Sequence, residues 1–162
     1  MSNNMSVIID PDFENRYPDS SAKATECTMN LVLTGGLLEK RISQLLHPFD
    51  LSPATGLVLS MLADSETPMP PHKIAEHLII SRASATSLID SLEKRGYVRR
   101  MPHPSDRRSL LIEITSSGRQ TANRFRPIVH QHQKIWMNVL KEKEMEQFIQ
   151  MLHLLQESLT DN

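Results

Sequence analysis

Residues 81–118 read SRASATSLIDSLEKRGYVRRMPHPSDRRSLLIEITSSG. Ser81 is placed to cap a helix running from Arg82 to about Arg95, and Gly96 to end it. Ala85, Leu88, Ile89 and Leu92 fall on one helical face. Two short strands follow, roughly Tyr97–Met101 and Leu110–Thr115, the second with alternating apolar positions at Leu110, Ile112 and Ile114. The link between them, PHPSDRRS, is unusual for a hairpin. Such links favour Gly, Asn or Asp for their turn geometry, but this one holds two prolines, Asp106, and the adjacent guanidinium groups of Arg107 and Arg108.

Upstream, PHKIAEHL (71–78) forms a short helix with Ile74, Ala75 and Leu78 inward. Short helix, tight connection, capped helix and hairpin follow each other in the order of a winged helix-turn-helix. In that arrangement the second helix enters the major groove of DNA. Its residues furthest from the apolar stripe are Ala83, Ser87, Asp90 and Lys94, with Ser84, Thr86 and Ser91 beside them. Small hydroxyl residues let a backbone approach base edges, and Arg82 can pair with guanine or phosphate. An arginine-tipped hairpin suits a narrow minor groove, where the negative potential is enhanced. Asp106 is then a support that orients Arg108 or braces the turn.

The segment 78–118 resembles the MarR family of bacterial winged-helix transcriptional regulators. The matching features are the T-x-L-I-D-x-L-E-K-R-G helix end, the D-x-R wing at Asp106 and Arg108, and the I-T-x-x-G start of the next helix. The resemblance extends over about residues 25–159. It implies a homodimer whose first and last two helices pack across a two-fold axis. It also implies binding to a pseudo-palindromic operator, usually repressing, with release by a small ligand or an oxidant. Arg108 matches the wing arginine that enters the minor groove, Asp106 its supporting carboxylate, and Thr86 a threonine common on the recognition helix. Arg107 adds charge at a variable wing position. Ser87 departs from the arginine or glycine often found there, so no base preference carries over.

The flanking sequence fits a mainly α fold with a small β-hairpin wing: a winged helix-turn-helix plus a helical dimerisation region. Residues 1–21 read as a mobile N-terminal tail with a short ordered piece, and 22–50 as an N-terminal dimerisation helix. Residues 51–116 form the winged DNA-binding region, and 117–162 the C-terminal dimerisation helices. Ser52 and Pro53 mark a helix start with Leu57, Leu59 and Leu62 inward. Pro127 is expected to kink the helix after the hairpin. The terminal helices carry long apolar stripes, among them Met145, Phe148, Ile149, Leu152, Leu155 and Leu159. A compact winged core has too few faces to cover them, and a second copy supplies the missing faces.

A chain of 162 residues can bury a sizeable core, and 23% charged with 39% hydrophobic residues is a globular balance. The N-terminus lacks a signal sequence and no apolar run reaches membrane-spanning length, so a cytoplasmic protein with no membrane association is expected. The net charge of −1 conceals an asymmetry. From His72 to Arg126 eleven Lys and Arg stand against five Asp and Glu, an excess of +6, with −7 over the remainder.

Effector candidates are fewer. Gly35 and Gly36 within the first long helix suggest a kink, or close approach of a backbone or ligand, since each costs about 1 kcal/mol relative to alanine. A pocket there for a small aromatic or lipophilic anion would draw on Arg41 and His47. Cys27 is the sole cysteine and a candidate redox site, but Glu26 beside it opposes thiolate formation. His130 and His132, and His72 and His77, diverge on their helices, so neither a metal nor another cofactor is expected. Nor is an enzyme: there is no glycine-rich phosphate loop, nucleophile elbow or HExxH. The rival reading is a winged-helix module whose basic face binds an acidic protein partner. Exposed apolar anchors at the wing would favour that; arginines at its tip favour nucleic acid.

Overall fold

The computed structural model describes residues 6–105 and 110–160. Within them, seven helices and one antiparallel hairpin follow in the order α1 (Phe13–Arg16), α2 (Ala22–Leu46), α3 (Pro53–Asp64), α4 (Pro71–Leu78), α5 (Arg82–Lys94), β1 (Val98–Pro102), β2 (Leu110–Ile114), α6 (Ser116–Met137) and α7 (Glu142–Thr160). A 3-10 turn, His47–Phe49, links α2 to α3. This is a mainly α fold with a small hairpin wing on a helix-turn-helix.

Local chemistry sets the boundaries. The Ser21 hydroxyl accepts from Ala24 N to start α2. Ser52 and Thr55 form a reciprocal capping box before α3, with Pro53 at its first position. The helix α2 continues unbroken through Gly35 and Gly36, and beyond the helix's own adjacent backbone a Cβ on either glycine would meet no atom of the described residues within 4 Å. Likewise α6 continues through Pro127 as one helix to Met137.

One core unites the winged lobe. Val58, Leu59 and Leu62 of α3, Ile74 of α4, Ile89 and Leu92 of α5, Val98, Ile112, and Ala122 and Phe125 of α6 are buried together. Leu57, expected inward, is 58% exposed, because α3 turns Thr55, Val58, Leu59 and Leu62 to the core and Leu57 lies off that stripe. The hairpin pairs Val98 with Ile114 and Pro102 with Leu110. Met69, in the loop before α4, adds a further rung by exchanging both main-chain hydrogen bonds with Ile112 (2.9 and 2.8 Å). That rung ties the wing to the lobe along the edge of β2 away from β1.

Residues 6–21 lie against the start of α2. The Asn30 carboxamide accepts from Val7 N and donates to Val7 O, each at 2.9 Å, while Glu14 accepts from Ala22 N. By contrast α7 has no buried residue and packs only sparsely on the other elements. Phe148, Ile149, Leu155 and Leu159 on its apolar stripe are exposed. Among the described residues no helix is long and apolar enough to cross a membrane.

The turn of the helix-turn-helix is strained. Ile79 closes α4 at φ 52°, ψ 47°, a left-handed conformation that a β-branched residue adopts at a cost, and the residue is 67% exposed. Replacing it by glycine removes that strain and forfeits little burial. Against the extra entropy of glycine in the unfolded chain, Ile79→Gly should gain up to about 1 kcal/mol. A lower midpoint in urea than wild type would contradict this.

Candidate nucleic-acid interface

The Ser81 hydroxyl starts α5 by accepting from Ser84 N at 3.0 Å, and it also shares a hydrogen bond with the Ser84 hydroxyl at 2.9 Å. With Ala85, Ile89 and Leu92 turned to the core, Arg82, Ala83, Ser84, Thr86 and Ser87 are all exposed on the opposite side. The helix therefore presents its first two turns outward, as the spacing predicts.

The hydroxyls on this face are oriented by the helix itself. Thr86 Oγ1 donates to the Arg82 carbonyl at 2.9 Å, and Ser87 Oγ to the Ala83 carbonyl at 3.1 Å. Their protons are engaged inward, so what they offer outward is lone pairs. Such a rim accepts from an adenine N6 or cytosine N4 amino group. Donation falls to Arg82, whose guanidinium has no ion pair or hydrogen bond among the described residues. It stands between two concavities, one lined with Pro70, Pro71, His72, Thr86 and Leu110, the other with His72, Glu76, Ile79 and Ile80. Thr160, at the end of α7, also lines the second.

Much of the basic charge counted in the sequence is internally compensated. Arg95 Nε donates to Asp50 at 2.9 Å and its Nη1 to Ser91 O and Oγ. Arg99 pairs with Glu113 across the hairpin, and Arg126 holds both oxygens of Asp64 at 2.6 and 2.8 Å. Arg124 lies 5.6 Å above the Phe49 ring. Arg100 on β1 is the most heavily engaged. Its guanidinium bonds to Asp90 and to Glu93, both on α5, while its main-chain N–H donates to Glu93 Oε1 at 3.1 Å. The bond to Asp90, opposed by burial and aided by the charge of Glu93, raises its pKa above the ordinary guanidinium value.

Sequence reasoning counted Arg100 as surface charge and missed this role. The signal was present: carboxylates three apart on a helix face, and an arginine pair just past the helix-ending glycine. Asp106, Arg107 and Arg108, the expected tip and its support, lie outside the described residues. The effector candidates Gly35, Gly36, Arg41 and His47 are all exposed, but they are strung along α2 and its end over about 18 Å of helix axis. Cys27 is exposed on α2.

Comparison with known proteins adds to this geometry. Residues 51–110 match the model of the MarR family. The HTH-type transcriptional regulator PecS of Dickeya dadantii (strain 3937) is 29% identical over 122 residues, covering 74% of this chain and 72% of PecS. Several other curated relatives are matched over about half of their own length. Among solved structures, AbsC, a MarR family transcriptional regulator from Streptomyces coelicolor, superposes with a TM-score of 0.78 at 24% identity, over 85% of this chain and 95% of AbsC. The MepR–DNA complex of S. aureus gives 0.77 at 22% identity, over 81% of this chain and 96% of MepR. At such identities the superpositions speak to fold alone, and they extend it beyond the matched segment to the long helices on either side. Winged lobe and matched segment agree: residues 51–110 are similar to the MarR family, and the chain shares the fold of solved MarR family regulators from one flanking helix to the other.

Proposed function

We propose that this protein is a cytoplasmic, sequence-specific DNA-binding transcriptional regulator, acting as a repressor on a pseudo-palindromic operator that it binds as a homodimer. The observation that carries the reading is the outward face of α5. Arg82, its guanidinium unpaired among the described residues, stands beside a rim of Ser84, Thr86 and Ser87 hydroxyls, at the end of the helix that a helix-turn-helix lodges in the major groove. Relatives described as transcriptional regulators, and a fold neighbour solved on DNA, support it.

In this reading Arg82 donates to guanine or phosphate, the hydroxyls accept from base amino groups, and Arg107 and Arg108 enter the minor groove with Asp106 as their support. Release by a small aromatic or lipophilic ligand belongs to the same reading, with Gly35, Gly36, Arg41 and His47 as its candidate contacts. The unburied stripe of α7 supports the homodimer, which would set two recognition helices about one DNA turn apart.

The test is selection from a randomised duplex pool, run with wild type and with Arg108→Ala. The expected result is an inverted repeat with half-sites about one helical turn apart. Arg108→Ala should bind the selected duplex about tenfold more weakly, the worth of one well-placed contact. No enrichment with either protein would remove operator recognition and favour an acidic protein partner for the basic face.

A further inference from the structure

We propose that Arg100 is a positioning residue for DNA reading: with Asp90 and Glu93 it clamps the wing at a fixed angle to the recognition helix. The inference rests on the DNA-reading role proposed above and adds to it a device that acts without touching DNA.

A helix in the major groove and a hairpin in the adjacent minor groove must straddle the sugar–phosphate strand that separates the two. The angle between them therefore decides whether both can seat at once. In this chain the hairpin leaves α5 through Gly96, at φ 72°, which fixes a tight turn but little beyond it. Val98, buried on α5 and β2, lies close to that pivot. Arg100 is two residues further out along β1, where a tether resists rocking with a longer lever. It is tethered three times, by two guanidinium bonds and by its own main-chain N–H to Glu93.

Charge argues against a direct phosphate contact. Arg100, Asp90 and Glu93 sum to −1, which repels a phosphodiester. The Arg100 side chain is also only 27% exposed, less than Asp90 at 59% or Glu93 at 37%. An arginine meant for phosphate is left open, as Arg82 is. Both partners lie on one face of α5, three residues apart, so the clamp reads the orientation of the helix and not merely its presence.

The two accounts predict opposite signs in one variant. Asp90→Asn with Glu93→Gln removes two negative charges near the DNA. If electrostatics alone mattered, binding to every duplex should tighten. If Arg100 positions the wing, affinity for the duplex selected by wild type should fall about tenfold, the worth of a single base-edge interaction, while affinity for a scrambled duplex holds or rises.

A second readout needs no DNA. Spin labels at Lys94→Cys and Ser105→Cys, with Cys27→Ser and dilution into excess unlabelled chain, report the distance from α5 to the wing. The distribution should broaden in the double variant at unchanged thermal midpoint. An unchanged distribution, or affinities for both duplexes rising together, would overturn the clamp. Should wild type select no sequence at all, the regulator reading fails by itself, and the distance measurement still decides whether the clamp exists.

Discussion

Gly118→Ala should lower the thermal midpoint by about 10 °C, the expected shift for roughly 3 kcal/mol in a chain of this size. Gly118 lies in the first turn of α6, where the helix presses on the base of the wing. A Cβ there would stand 2.1 Å from the Tyr97 carbonyl oxygen, 2.9 Å from its carbon and 3.0 Å from Ile114 Cγ1. Two of those atoms are backbone and cannot rotate away. The Tyr97 carbonyl is itself fixed, since it accepts from Thr115 N at 3.0 Å.

Relief requires α6 to shift, and that shift breaks its own start. The Thr115 hydroxyl caps α6 by accepting from Gly118 N at 3.1 Å and donates to Gly96 O at 2.6 Å. A displaced α6 also moves Ala122 and Phe125 out of register with the core. Overpacking by one methyl typically costs about 1–3 kcal/mol, and the larger end applies where the obstacle is main chain. Thermal unfolding at matched protein concentration decides it. A midpoint within about 2 °C of wild type, under 1 kcal/mol, would mean the junction is softer than its geometry implies.

The same junction explains what the sequence could and could not disclose. I-T-x-x-G was legible as a motif, and its physical content is the Thr115 cap together with the missing Cβ at Gly118. Helices with strong punctuation were equally legible: Ser52–Pro53, Ser81 and Gly96 fixed α3 and α5 to within a residue or so, because a cap is a local interaction written in adjacent residues. Leu57 misled because α3 is apolar nearly all round, and periodicity then loses its phase. Ile79 gave no warning, since nothing in its neighbours asks for a left-handed residue. The Arg100 clamp and the Met69–Ile112 rung join residues that only the folded hairpin brings together, and composition counts such arginines as free charge. The outward residues of α5 were legible from the stripe opposite them. The inward engagement of the Thr86 and Ser87 protons needed coordinates.

Phe148→Asp with Leu155→Asp should leave the winged lobe folded yet weaken binding to the selected two-half-site duplex by at least about a hundredfold, the range of avidity lost when two linked sites act singly. The residues lie seven apart on the apolar stripe of α7, and within one chain both are exposed. In an isolated chain, replacing exposed apolar groups with carboxylates costs little and improves solubility. Buried against a second copy, the same carboxylates are unpaired charges in an apolar seam, which protein interfaces do not tolerate. The two situations therefore differ in sign as well as size.

Sedimentation should report a dimer for wild type and a monomer for the variant, with the far-ultraviolet helix signal largely kept. Affinity for a single half-site should change little, because the α5 face is untouched. The stripe of α7 has no other partner among the described residues that could cover it. A variant that stays dimeric and binds the full duplex as wild type does would move the dimer contact elsewhere, to the exposed Val32, Leu33 and Leu37 along α2. A wild type that sediments as a monomer would leave each chain with one reading head, and an inverted repeat would have no physical basis.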